Sequence, residues 1–167
     1  ERSLSAAAHT EFSNDGKWLV QVGSSGTGKE REYAATVVST ANWKVVCRVP
    51  TSAGGRADLS PDGTTLAVVT GDDVTFYDVA TEKKFGGFRA AAGAWAGDRS
   101  RGVRVLRFTA DGTKLITADI DTTALVWPVP ARSEDDEIGV ARFPVPPHRD
   151  TLAASRFTPR GAFPCAL

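Results

Sequence analysis

The 167 residues suffice for one domain with a sizeable core, and 20 basic against 20 acidic side chains leave no net charge. A chain without a global field has no general means of holding a nucleic-acid backbone or an anionic membrane, so neither is expected as a partner. No apolar run approaches bilayer length, and residues 1–10 lack the charged-then-apolar order of a signal peptide.

In chain order the first signal is Phe12-Ser13-Asn14-Asp15-Gly16, followed at once by Trp18, Leu19 and Val20. An apolar residue ends one strand, a hydroxyl residue enters the bend, and Asp-Gly closes it. Gly takes positive φ without a Cβ clash, and the Asp carboxylate accepts a backbone N–H, so a tight hairpin corner is predicted. Residues 23–32 form an enlarged gap before the next strand at residues 34–39. Within that gap, Gly23-Ser24-Ser25-Gly26-Thr27-Gly28-Lys29 has the spacing of a phosphate-binding loop. Such a loop needs a hydroxyl after the Lys to hold Mg²⁺ and a helix to follow it. Glu30 and a strand stand there instead, so an inter-strand loop is predicted and nucleotide binding is rejected. Cys47, within Val45-Val46-Cys47-Arg48-Val49, reads as a small buried strand residue and not as a reactive thiol.

The corner phrase returns as Leu59-Ser60-Pro61-Asp62-Gly63 and as Phe108-Thr109-Ala110-Asp111-Gly112, with a weaker copy at Phe157-Thr158-Pro159-Arg160-Gly161. Gly16, Gly63, Gly112 and Gly161 are separated by 47, 49 and 49 residues. After Gly63 come the apolar run 66–69, a polar gap Gly71-Asp72-Asp73, the run 74–79, a turn at 80–83 and Phe85-Gly86-Gly87-Phe88. After Gly112 come Leu115-Ile116-Thr117, a gap containing Asp119 and Asp121, and the run 124–129. The runs are short, β-branched and aromatic, with no sustained helical period, so almost no helix is predicted. Four short strands per period of about fifty residues is the size of one propeller blade.

The apolar-Ser-Pro-Asp-Gly corner, the β-run and then Tyr77-Asp78 before Ala80-Thr81-Glu82-Lys83 resemble the WD-repeat β-propellers, especially their divergent bacterial members. The resemblance covers residues 3–130 and extends to 150–167. It implies an all-β, incomplete β-propeller of about three four-stranded antiparallel blades, at residues 3–50, 51–90 and 91–130. An acidic and Pro-rich linker or insertion would follow at 131–149, and the start of a fourth blade or a tail at 150–167. The Trp-Asp pair of the family becomes Trp127-Pro128 in the third copy and Val38-Ser39 in the first, and the Gly-His before the first strand is missing. The Asp–His–Ser/Thr–Trp hydrogen-bond network of regular blades is therefore not expected. Three blades do not close a ring, and the composition contains no Met, so a missing start and further blades are expected.

Asp15, Asp62 and Asp111 are assigned to turn formation, because equivalent turns of a ring would hold them too far apart for a shared metal or acid–base role. Asp72, Asp73, Asp119 and Asp121 fall in gaps that open on the same face as the blade-to-blade connections, a face that commonly receives ligands. Trp95, with Arg89, Arg99 and Arg101, lies in the long connection 89–102, and an aromatic anchor among arginines has the composition of an interaction hot spot. Trp18, Trp43 and Trp127 follow strand patterns and are read as packing residues. His9 and His148 are isolated, and Ser24, Ser25, Ser100 and Ser155 lack a nucleophile elbow, so neither zinc nor a Ser-His-Asp set is expected. No cofactor or catalytic residue is identified. The expected function is a non-catalytic scaffold for a protein or peptide; the alternative is the propeller portion of a larger kinase or peptidase whose catalytic residues lie elsewhere. The compartment is left open, with the cytoplasm slightly favoured.

Overall fold

The computed structural model describes residues 7–90, 103–118 and 124–132. They form three antiparallel meanders in which each strand pairs with its sequence neighbour. The first sheet comprises β1 (Ala7–Phe12), β2 (Trp18–Ser25), β3 (Glu32–Ser39) and β4 (Val45–Pro50). The second comprises β5 (Ala57–Leu59), β6 (Thr65–Thr70), β7 (Asp73–Asp78) and β8 (Lys84–Arg89). The third has β9 (Val105–Phe108), β10 (Lys114–Ala118) and β11 (Ala124–Pro128) among the described residues. The only helical element there is a 3₁₀ turn, Gly28–Glu30, inside the Gly-rich loop. β2 runs through to Ser25 and pairs with Glu32, so the enlarged gap is shorter than the sequence suggested.

Each sheet starts from the same hydrogen-bonded corner. Ser13, Ser60 and Thr109 each accept at the carbonyl from the corner glycine's N–H and at the hydroxyl from the N–H of Trp18, Thr65 and Lys114. The hydroxyl then donates to the corner carboxylate, at 2.8 Å for Asp15 and 2.5 Å for both Asp62 and Asp111. That carboxylate also accepts the N–H of Lys17, Thr64 or Thr113. The glycines sit at φ of 69°, 75° and 70°, which an L side chain rarely adopts. At Gly63 a Cβ would in addition fall 2.8 Å from the Trp18 indole nitrogen of the first sheet. The corners therefore turn the chain and also touch the sheet before.

Packing follows from alternation along the strands. Val20, Val22, Ala35, Val37, Cys47 and Val49 of the first sheet meet Ala57, Leu59, Leu66 and Val68 of the second. On the opposite face, Ala67, Val69, Val74 and Phe76 meet Leu106 and Leu115 of the third. Leu66 and Val68 thus point one way and Ala67 and Val69 the other, and all four are at most 3% exposed. A continuous apolar run is what a strand covered on both faces requires. Phe76 is surrounded by Phe85, Phe88 and Phe108, with ring centroids 6.0–6.4 Å away.

The tryptophans divide. Trp18 packs against the first cluster, and Trp127 stacks on Phe88 at 4.1 Å between centroids. Trp127 Nε1 also donates to the buried Thr117 hydroxyl at 2.9 Å. Trp43 is a correction. It lies in the β3–β4 turn, not in a strand, with φ of 56° and 52% of its surface exposed. Glu82, with φ of 58°, takes the matching place in the β7–β8 turn.

Two outcomes are expected. Phe76→Ala should lower stability by about 3–5 kcal/mol in urea denaturation, because the cavity opens among three rings. Phe12→Ala, at 57% exposure, should change it by less than about 0.5 kcal/mol. Hydroxyl donors, Ser13 for Asp15 and Thr109 for Asp111, lead the contacts that hold both carboxyls at about 2, below their ordinary 3.8. Carboxyls depressed in the folded state stabilise fully above their unfolded value and lose that contribution as protons arrive. Stability should therefore hold from neutrality down to about pH 4 and fall between about pH 4 and 2. Circular dichroism through an acid titration measures this, and Asp111→Asn should flatten the slope.

Candidate binding face

The strand ends opposite the corners are drawn together by the connection between the first two sheets. The Thr51 hydroxyl donates to the Val69 carbonyl at 2.8 Å, the Gly71 N–H to the Ser52 hydroxyl at 3.2 Å, and the Val69 N–H to the Arg56 carbonyl at 2.8 Å. Gly55 is required in this connection, since a Cβ there would fall 2.3 Å from the Thr51 hydroxyl and 2.8 Å from the Val69 carbonyl. The β6–β7 gap and the connection thus share one face. Asp72 and Asp73 lie on it, and Ala90 donates its N–H to the Asp72 carbonyl at 2.8 Å. Arg89 is not in the connection, as the sequence implied, but is the last residue of β8, in register with Asp73. Its guanidinium pairs with Asp72 at 3.3 Å. Trp95, Arg99, Arg101, Asp119 and Asp121 lie outside the described residues.

A second charged group sits on the first strand of each sheet, and sequence reasoning missed it. Glu11, Asp58 and Arg107 each precede the apolar residue of their corner by one position. The packing of the sheets brings these three equivalent positions together. Arg107 pairs with Glu11, and with Asp58 at 3.4 Å, while Asp58 also accepts the Phe108 N–H at 2.7 Å. Asp58 retains only 14% side-chain exposure, and burial pushes its carboxyl up against the lowering effect of the Phe108 and Leu59 N–H donors. His9 approaches Glu11 at 3.5 Å. Burial, then Arg56 and Arg107, hold this imidazole below its ordinary value, so it is neutral at neutral pH. Arg56 donates to the Arg104 carbonyl at 3.3 Å. The signal was present in the repeat register, but only as three unlike residues at one offset.

The corners are closer neighbours than a ring argument suggested. Asp62 and Asp111 line one cleft of about 470 Å³ with Ser60, Pro61 and Arg132. The expectation that equivalent turns stand far apart is corrected here, because successive corners abut: a Cβ on Gly112 would lie 3.4 Å from the Pro61 ring. The turn role stands, since both oxygens of Asp62 and of Asp111 accept donors from their own corner. Arg132 bonds to the Thr64 carbonyl, the Thr65 hydroxyl and Asp78, closing the cleft against the second sheet.

Cys47 is fully buried, and burial, followed by Glu82 and Asp78, pushes its thiol up to about 11, which suppresses the thiolate. Among the described residues no three His, Cys, Asp or Glu side chains gather in a way that could hold a metal ion.

No protein-family model matches the chain, and no curated protein does. Among solved structures it is similar to Kluyveromyces lactis Hsv2 with its complete loop 6CD, at a TM-score of 0.50 and 15% identity over 70% of this chain and 40% of that one. It is also similar to Kuenenia stuttgartiensis hydrazine synthase, at 0.48 and 22% over 71% of this chain and 30% of that one. A functionally unknown protein from Desulfotomaculum acetoxidans gives 0.48 and 16% over 71% and 36%. The chain spans less than half the length of each. Hsv2 is a β-propeller, and the likeness concerns the fold alone: the described sheets are three antiparallel blades of an incomplete β-propeller.

Asp58→Leu should cost about 1–3 kcal/mol, because the Phe108 N–H loses its acceptor and Arg107 one of its two carboxylates. Asp58→Asn keeps an acceptor and should cost less than about 1 kcal/mol. Urea denaturation at neutral pH separates the two variants.

Proposed function

We propose that this chain is a WD-repeat-like propeller segment acting as a non-catalytic scaffold, which takes a protein or peptide on the face where connections and inter-strand gaps open. The observation that carries this reading is the hydrogen-bonded rim made by Thr51, Ser52, Gly71 and Asp72, which fixes the strand ends at Asp72, Asp73 and Arg89. Selective capture of a polypeptide needs exposed charged groups held in place on a rigid base, and loops on a scaffold supply them. Asp73 and Arg89 are exposed, and the sequence adds Trp95, Arg99 and Arg101 to the connection that leaves Arg89. A large aromatic among arginines is the usual centre of such an interface. The WD-like character is supported by the Ser-Pro-Asp-Gly corner at residues 60–63, the Tyr77-Asp78 pair and the Trp127–Thr117 hydrogen bond. A fold does not fix a function, so the reading rests on this rim and not on the propeller as such. It involves no cofactor, nucleic acid or membrane.

The test is capture of a partner by the immobilised chain, followed by titration calorimetry with the captured protein. Trp95→Ala combined with Arg99→Ala, and separately Arg89→Ala, should weaken binding at least about tenfold with unchanged unfolding midpoints. Equal affinity for both variants and the parent chain would refute the reading.

A further inference from the structure

Glu11 stands between two partners. Within β1, His9 lies two residues away on the same side of the strand and brings Nε2 to 3.5 Å from Glu11 Oε2. From the third sheet Arg107 pairs with Oε1, so this ion pair reaches past the second sheet to the first. The charged groups around the imidazole come from all three sheets. The second supplies Asp58 and Arg56, and the third supplies Arg107 and Arg104, whose carbonyl accepts from Arg56 at 3.3 Å. β2 sets Val22 and Val20 in register with His9 and Glu11 and so adds no charge. With His9 neutral, two carboxylates answer the guanidinium groups of Arg56 and Arg107. A proton on His9 sets one more cation against the same two acids.

We infer that His9, Glu11 and Arg107 form a proton-operated latch between the first and third sheets. Neutral His9 leaves Glu11 to Arg107, whereas protonated His9 takes Glu11 within its own strand and Arg107 withdraws to Asp58. Three features make Arg107 the member that moves. Its side chain is 45% exposed, against 28% for His9, 25% for Glu11 and 14% for Asp58. It has a second carboxylate in Asp58 at 3.4 Å, so leaving Glu11 does not strand its charge. Arg56, the other cation beside His9, is tied to the Arg104 carbonyl. The sign follows from the same surroundings. Burial, then Arg56 and Arg107, hold the imidazole below its ordinary 6.5 while the latch is closed. Withdrawal of Arg107 removes one of the opposing charges, so the open latch binds the proton more tightly. Asp58, itself pushed up by burial, keeps Arg107 in both states. The latch is therefore shut above pH 6.5 and opens as pH falls below that value.

The inference is independent of any binding partner and is read from the coupling between Glu11 and Arg107. Urea unfolding of the full chain with Glu11→Gln, Arg107→Gln and both together measures it. A half-exposed pair should give about two- to fivefold coupling in the unfolding constant at pH 7.5, falling to about onefold at pH 5.5. In a His9→Gln background the coupling should be equal at the two pH values. NMR titration of the His9 imidazole gives a second reading: its midpoint should lie below 6.5 in the parent chain and rise with Arg107→Gln. Absence of coupling at pH 7.5 would overturn the inference, as would coupling that survives at pH 5.5 in the parent chain. A loss at pH 5.5 that persists with His9→Gln, or a midpoint that Arg107→Gln leaves in place, would overturn it too.

Discussion

The β6 strand of the middle sheet is covered on both faces, and most of the remaining structure follows from that. Leu66 and Val68 complete the core shared with the first sheet, while Ala67 and Val69 complete the core shared with the third. A slip of one residue in β6 would exchange the two sets and misfit both cores at once, so the register is held from both sides. With its faces enclosed, this strand meets solvent and partners at its ends. The corners occupy one end. The connections, gaps and charged side chains occupy the other, and that division decides where binding chemistry can be placed.

The inner strands show how a repeat can convert similarity into attachment. Glu11, Asp58 and Arg107 hold one position in three successive repeats, and packing turns that shared position into nearness. Three acids there would repel one another. The change of sign in the third repeat gives a guanidinium between two carboxylates, one of which is largely buried. The arginine also offsets the cost of withdrawing Asp58 from water, as does the Phe108 N–H that bonds to it. The neutrality of the chain as a whole conceals this local organisation. Burial first, and then Arg56 and Arg107, disfavour protonation of His9.

The architecture was legible in the sequence because its cause is local. Asp-Gly corners depend on residues within a few positions of one another, and their spacing of 47 and 49 residues needs no knowledge of packing. The β6 run was legible too, since four consecutive apolar residues between turn signals suit a strand covered on both faces. What stayed hidden depends on rotation between sheets. Nothing in Glu11, Asp58 and Arg107, three unlike residues, announces that they meet. The nearness of Asp62 and Asp111 was hidden for the same reason, because the contact between successive corners is a tertiary fact. Trp43 was misplaced because tryptophan beside β-branched residues has the composition of a strand, while its turn is set by the Ser39 and Lys44 hydrogen bonds around it. Arg89 was placed in a connection because the ladder pairing it with Asp73 is not written in its own neighbours.

Cys47 gives the first two sheets an internal clock. Its sulfur lies in their shared core, and its raised pKa keeps it as the unreactive thiol. An alkylating reagent in the surrounding water meets it only while those sheets stand apart. The speed at which the label accumulates is then set by how often that seam opens, so a chemical modification rate becomes a gauge of breathing at a boundary buried from solvent.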